Sequence, residues 1–336
     1  MGVMQDDGCI PESWRRLNLH CHRDGIVCEC GGTRRPWTTL FRVLSGCLLR
    51  PEGCGSIVGL MSPVRRIQQE HGIVGRDQEL ALSLAVLAAG RHLLLEGTVG
   101  VGKTTVALAV CKHLGRKVFR VDGDERYTEN KLTGWFDPPL VLKQGYKPES
   151  FVAGPLLEAM RHGAVLFINE LNRMPESVQN VLLPALDERY LLVPQWGEVR
   201  AKAGFQVIAT QNPAEFIATG HLSEALRDRF EHVVLDYQTA GEEFRIVQRE
   251  TGCADDERVR EAVAITRATR THPKFRKGAS VRAAISMVSI AAHLDGPDPL
   301  LAAARAALPT RVELRDDSDT PLDAVLAEIV RDVKKN

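Results

Sequence analysis

Gly97-Thr98-Val99-Gly100-Val101-Gly102-Lys103-Thr104 fits the spacing G-x-x-x-x-G-K-[ST], whose residue types suit the cradling of phosphates. The glycines let the backbone curl so that successive N–H groups converge on an anion. Lys103 adds a point charge, and the hydroxyl of Thr104 suits a Mg²⁺ ion. Thr105 reads as ordinary helix from its place in Thr105–Leu114, and it closes the group Gly97–Thr105 taken as the phosphate-binding residues. A second run, Ala164-Val165-Leu166-Phe167-Ile168, ends in Asn169-Glu170. Glu170 is the candidate to orient or deprotonate an attacking water. Asn169 stands where an aspartate would contact Mg²⁺ through water; its amide oxygen accepts a hydrogen bond but brings no charge, so weaker metal affinity is expected. A third run, Gly204–Thr210, ends in Gln211-Asn212-Pro213. Asn212 would sit between a terminal phosphate and the water, although Asn-Pro is also a common turn starter. Beyond it, Arg227 and Arg229 in Ser223–Phe230 would face different directions on a helix, so at most one reaches a given phosphate.

These tips need strands to carry them. Arg91–Glu96, Lys117–Asp122, Ala164–Ile168 and Gly204–Thr210 are short apolar runs of the kind that form a buried parallel sheet, with polar groups delivered at the carboxyl ends. An apolar helical stretch, Glu79–Ala89, precedes the first run. From Gly241 onward the pattern is helical: Glu242–Glu250, Glu257–Arg270, Val281–Leu294, Pro299–Leu308 and Leu322–Val330, punctuated by Gly, Pro and Asp. His272 in a connector and His293 near a helix end are expected to be structural or solvated.

The glycine loop, Phe167-Ile168-Asn169-Glu170-Leu171-Asn172-Arg173-Met174-Pro175, Ala209-Thr210-Gln211-Asn212-Pro213 and Asp228-Arg229-Phe230 together resemble AAA+ ATPases of the MoxR family, from about Gly72 to the C-terminus. The resemblance implies an α/β fold: a P-loop NTPase parallel sheet flanked by helices over residues 61–238, then a small all-α lid over 239–336. It makes Gly97, Gly102, Lys103 and Thr104 the Walker A residues, Glu170 the Walker B glutamate and Asn212 sensor 1. By the same resemblance Arg229, not Arg227, is the arginine finger reaching a neighbouring subunit's ATP. Arg282, in Ser280-Val281-Arg282, is the sensor 2 residue of the lid, and Ile73 and Val74 line the adenine pocket.

Asn130–Gly154, with Trp135, Phe136, Tyr146 and Phe151, is similar to the helix-2 insert of this clade, and Leu191–Val199 to the hairpin before sensor 1. Both would project toward a partner, unless they are surface loops with aromatics tucked beneath. The expected protein is a cytoplasmic, homo-oligomeric (hexameric) ATPase that uses ATP and Mg²⁺ to remodel or mature another protein. Its C-terminal Asp317-Ser318-Asp319-Thr320 does not fit the D-x-S-x-S metal-adhesion motif, so a von Willebrand A domain partner would have to come from another chain. Alternatives are a nucleotide-gated scaffold that hardly hydrolyses, suggested by Asn169, and a metal-chelatase-type motor subunit.

Composition narrows the partners. With 43 basic and 43 acidic side chains among 336 residues the formal charge is zero and no block of five like charges occurs, so nucleic acid is not the expected ligand. The longest apolar stretches, Ala81–Gly90 and Leu300–Leu308, are far below the roughly 18–20 residues of a membrane span. Six of the eight cysteines (Cys9, Cys21, Cys28, Cys30, Cys47, Cys54) fall within residues 1–60, which contain no lysine and show no sustained helical or strand periodicity. A disulfide framework, a zinc site on Cys21, His22, Cys28 and Cys30, and a lipoprotein-like Leu44-Ser45-Gly46-Cys47 are each possible readings. The cysteine spacing lacks the C-x₂₋₄-C pairs that zinc needs, and Arg42 interrupts the apolar segment that an export signal needs. The favoured expectation is an over-extended translation start, with the protein beginning near Met61.

Overall fold

Alternation inside the apolar runs dictates how the sheet is covered. In the computed structural model, β4 (His92–Glu96), β5 (Val118–Asp122), β8 (Val165–Asn169), β11 (Gln206–Gln211) and β12 (Phe230–Val234) pair in parallel in the order β12-β4-β11-β8-β5. Successive side chains of a strand point to opposite faces. Leu93, Leu95, Phe167 and Ile208 therefore pack with Ile67, Leu80, Val106 and Val110 of α1 (Pro63–His71), α2 (Asp77–Ala88) and α3 (Lys103–His113). Leu94, Leu166, Ile168, Val207 and Ala209 pack on the other face with α6 (Pro155–His162) and α8 (Leu182–Asp187), through Leu156, Met160, Ala185 and Leu186. Both faces are covered, which is why these runs are apolar throughout.

The structure describes residues 62–193, 197–213, 222–316 and 320–335, together with the backbone of three short strands near the amino terminus. The chain divides into two units, Met1–Leu60 and Met61–Asn336. In the first, β1 (Leu19–His22), β2 (Gly25–Cys30) and β3 (Thr33–Pro36) form an antiparallel sheet. Strands of four to six residues are too short to register as sustained periodicity in the sequence. The cysteine, zinc and export readings rest on side chains outside the described residues.

In the second unit, the excursion after β5 folds as α4 (Glu129–Thr133), β6 (Gly134–Phe136), α5 (Pro138–Gln144) and β7 (Phe151–Ala153), with β6 and β7 antiparallel. Next come α7 (Glu176–Asn180) and a hairpin of β9 (Tyr190–Val193) with β10 (Gly197–Arg200), whose tip lies outside the described residues. The four-residue α9 (Glu224–Arg227) leads into β12.

The carboxyl-terminal part consists of α10 (Ala240–Thr251), α11 (Asp256–Thr271), α12 (Val281–Ala291), α13 (Pro299–Ala307) and α14 (Leu322–Lys335) around their own core. It is helical except for a short antiparallel pair of β13 (Phe275–Lys277) and β14 (Glu313–Leu314). Thr239 and Glu242 close a reciprocal cap at the start of α10. Just inside, the buried carboxylate of Glu243 pairs with Arg267 at 3.1 Å and Arg270 at 2.7 Å. Arg267 also donates to the Gln238 carbonyl at 2.9 Å, and the Arg270 guanidinium lies 3.8 Å from the centre of the Tyr237 ring. The strap leaving β12 is thereby clamped to two lid helices.

His92 makes the fold acid-sensitive. Its ring is buried, Nδ1 accepts the Val207 N–H at 2.9 Å, and Nε2 faces the Leu186 carbonyl at 3.4 Å. Burial holds its pKa at about 4, against 6.5 for a free histidine. Between those values the unfolded chain binds more protons than the folded one, so the stability present above pH 6.5 is lost on acidification, by about 3 kcal/mol once pH 4 is reached. Urea unfolding at pH 7.5 and 4.0 should show the loss shrinking by that amount in His92→Gln. An equal loss in both proteins would remove His92 as its source.

Candidate active site

The register sets one edge of the sheet apart. Glu96 pairs with Gln211 and with Val234, and Asp122 pairs with Asn169, so the carboxyl ends of five strands finish side by side. The glycine loop leaves β4 there and enters α3. Gly100 (φ +85°) and Gly102 (φ +94°) adopt backbone that L side chains rarely take, and a Cβ on Gly100 would collide with Ser280 at the start of α12. Loop and lid thus meet closely. Lys103 Nζ donates to the carbonyls of Gly97 at 2.6 Å and Thr98 at 2.9 Å, inside the loop's curl.

Asn169 stands at the centre of a polar cluster. Its Oδ1 accepts from the Thr104 hydroxyl at 3.1 Å and the Thr210 hydroxyl at 3.0 Å, while its Nδ2 donates to Asp122 at 3.1 Å. Thr210 Oγ1 accepts from the Glu170 N–H at 2.9 Å, which ties β11 to β8. Hydrogen bonds from Arg120 hold the Asp122 carboxyl below the usual carboxylate range. Glu170 follows β8 in the left-handed region at φ +56°, an uncommon conformation that marks a constrained turn, and its carboxylate pairs with Arg173 at 2.9 Å. Asn212 is buried one residue beyond the end of β11.

Beside the loop lies a cavity of about 280 Å³, lined by Ile73 and Val74 from the turn after α1, by the loop and first turn of α3, and by the lid. Gly100, Val101, Gly102, Thr105 and Arg282 all border it, so most residues singled out in the sequence converge on this edge. Gly97, Thr98, Val99, Lys103, Thr104, Asn169, Glu170 and Asn212 lie at the strand ends. Arg229 does not join them. It precedes Phe230, which is in register with His92 at the amino end of β4, and it donates to Asp187 at 2.8 and 2.6 Å.

Several neighbours were not picked out in the sequence. Arg249 and Gln238 line the cavity from the lid side. Arg76 also lines it, buried at φ +65°, and donates to the carbonyls of Val101 at 2.9 Å and Asp236 at 2.6 Å. Among the described residues no group of three His, Cys, Asp or Glu side chains could hold a metal unaided. The donor set of Thr104 hydroxyl and Asn169 amide oxygen does fit a hard cation that takes its remaining oxygens from phosphate and water.

Residues 92–230 match the family model described as "AAA domain (dynein-related subfamily)". The YeaC protein of Bacillus subtilis (strain 168) is 30% identical over 302 residues, covering 78% of this chain and 91% of its own length. The gas vesicle ATPase GvpN of Ancylobacter aquaticus is 28% identical over 231 residues, and the match spans 64% of each chain. Among solved structures, the RuvB Holliday junction branch migration motor of Thermotoga maritima superposes with a TM-score of 0.45 at 20% identity, over 69% of this chain and 70% of that one.

Proposed function

This chain belongs to the AAA+ ATPases, and from that premise we propose that it is a Mg²⁺-dependent, ring-forming ATPase of the MoxR-like type that remodels a partner protein in the cytoplasm. One observation supports the ring most directly: Arg229 and the glycine loop lie at opposite ends of the sheet. Phe230 is level with His92 and Val234 with Glu96, so Arg229 is roughly 16 Å or more from its own loop at about 3.3 Å per residue. That separation suits the reading in which Arg229 serves a neighbour's site. Asp187 and the Ala225 carbonyl hold its guanidinium in place.

In this reading ATP lies between loop and lid, with the base against Ile73 and Val74 and the phosphates under the loop amides, Lys103 and Arg282. Mg²⁺ bound with it would neutralise phosphate charge, held by Thr104 with Asn169 beside it. Glu170 orients or deprotonates water and Asn212 positions it. The partner face is the pair of excursions: Leu142, Tyr146 and Leu192 are 88%, 65% and 69% exposed, a placement that suits a protein contact. The resemblance extends this to a von Willebrand A domain protein as a companion.

ATP hydrolysis measured against concentration of the full chain tests the proposal. Specific activity should climb steeply with concentration and vanish in Lys103→Ala. A rate per subunit that is flat from the lowest concentration would remove the shared site. A second reading, a nucleotide-gated scaffold, is favoured by the uncharged Asn169; assembled protein that binds ATP without turnover would put it first.

A further inference from the structure

Resting on the nucleotide-hydrolysing reading, we infer that Asp122, at the end of the neighbouring strand β5, is a positioning residue for the cation: its carboxylate fixes the Asn169 amide with the oxygen toward Thr104.

An asparagine side chain can be turned two ways, and only one presents an acceptor to a cation. The carboxylate of Asp122 can only accept, so the atom 3.1 Å from it is the NH₂ group of Asn169. Oδ1 then has to face the other way, toward the Thr104 hydroxyl at 3.1 Å. Thr210 is consistent with this orientation: its oxygen accepts the Glu170 N–H at 2.9 Å and its own proton is directed to Asn169 Oδ1 at 3.0 Å. The two strands cannot slide apart here, because the Gly123 N–H donates to the Asn169 carbonyl at 2.7 Å. Arg120 grips Asp122 from the same strand at 2.8 Å, which fixes the carboxylate's direction. The chain thus divides between two strands what one aspartate would do alone: Asn169 offers the oxygen, and Asp122 fixes its orientation.

Mn²⁺ affinity of the full chain with a non-hydrolysable ATP analogue, read by EPR of free Mn²⁺, tests this without turnover; analogue binding in EDTA is measured separately. Replacing an outer partner of a metal-facing group typically weakens metal binding about 10–100-fold, and Asp122→Ala should fall in that range with EDTA binding unchanged. Asp122→Asn, in which one amide orientation still accepts, should lose less. Asn169→Asp has no wrong orientation, so in the Asp122→Ala background it should recover most of the loss. With Asp122 present, Asn169→Asp sets two carboxylates against each other and should gain less.

Unchanged Mn²⁺ affinity in Asp122→Ala overturns the inference. So does an equal effect of Asn169→Asp in both backgrounds, or full recovery on adding Arg120→Gln, which would trace the loss to an unmasked cation. Absence of analogue binding in the unsubstituted chain overturns the ATPase reading and the inference with it.

Discussion

Arg229→Ala should cut ATP turnover by about 10³–10⁵-fold, the worth of an arginine finger acting in trans, while leaving each subunit's own affinity for nucleotide intact. The split follows from geometry. The glycine loop and cavity lie at the carboxyl ends of the sheet, and Arg229 at the amino end of β12. Arg229→Lys should recover little, because the guanidinium's planar donors and its bonds to Asp187 and the Ala225 carbonyl fix a direction that a flexible ammonium lacks. Complementation makes the test decisive. Mixing Arg229→Ala with Lys103→Ala subunits should restore part of the activity, since some interfaces then combine an intact loop with an intact arginine. Mixtures as inactive as either parent would count against a shared site.

Glu170→Gln should lower turnover by about 10²–10⁴-fold, the usual worth of a general base, and still bind ATP. The amide preserves the shape of the turn and can still meet Arg173, but it cannot take a proton from water. Single-turnover hydrolysis alongside equilibrium binding separates the two effects. Loss of both together would show that Glu170 supports the left-handed turn at φ +56° rather than the chemistry.

The features written locally in the chain were the ones legible in the sequence. A lysine between glycines and threonine, and polar tips on apolar runs, announce a phosphate edge because each lies within a few consecutive residues. Asp122 was not legible. It lies 47 positions from Asn169, and only the register of β5 on β8 brings them together. Arg76 was missed for the same reason, since its contact with the Asp236 carbonyl spans 160 positions. Glu243 sits in an acidic first turn of α10, where a carboxylate ordinarily needs no more than the helix dipole, and its burial against Arg267 and Arg270 depends on lid packing. The strands at Leu19–Pro36 escaped because pairing, not side-chain alternation, defines them.

The Glu243 clamp has a mechanical consequence. Breaking a buried ion pair by removing one partner costs about 3–5 kcal/mol, so the joint between Tyr237 and the lid resists bending. The strap is held at its other end as well, where the Leu235 N–H donates to the Glu96 carbonyl at 2.7 Å and Arg76 donates to the Asp236 carbonyl at 2.6 Å, so lid and sheet are tied through a short segment gripped from both sides.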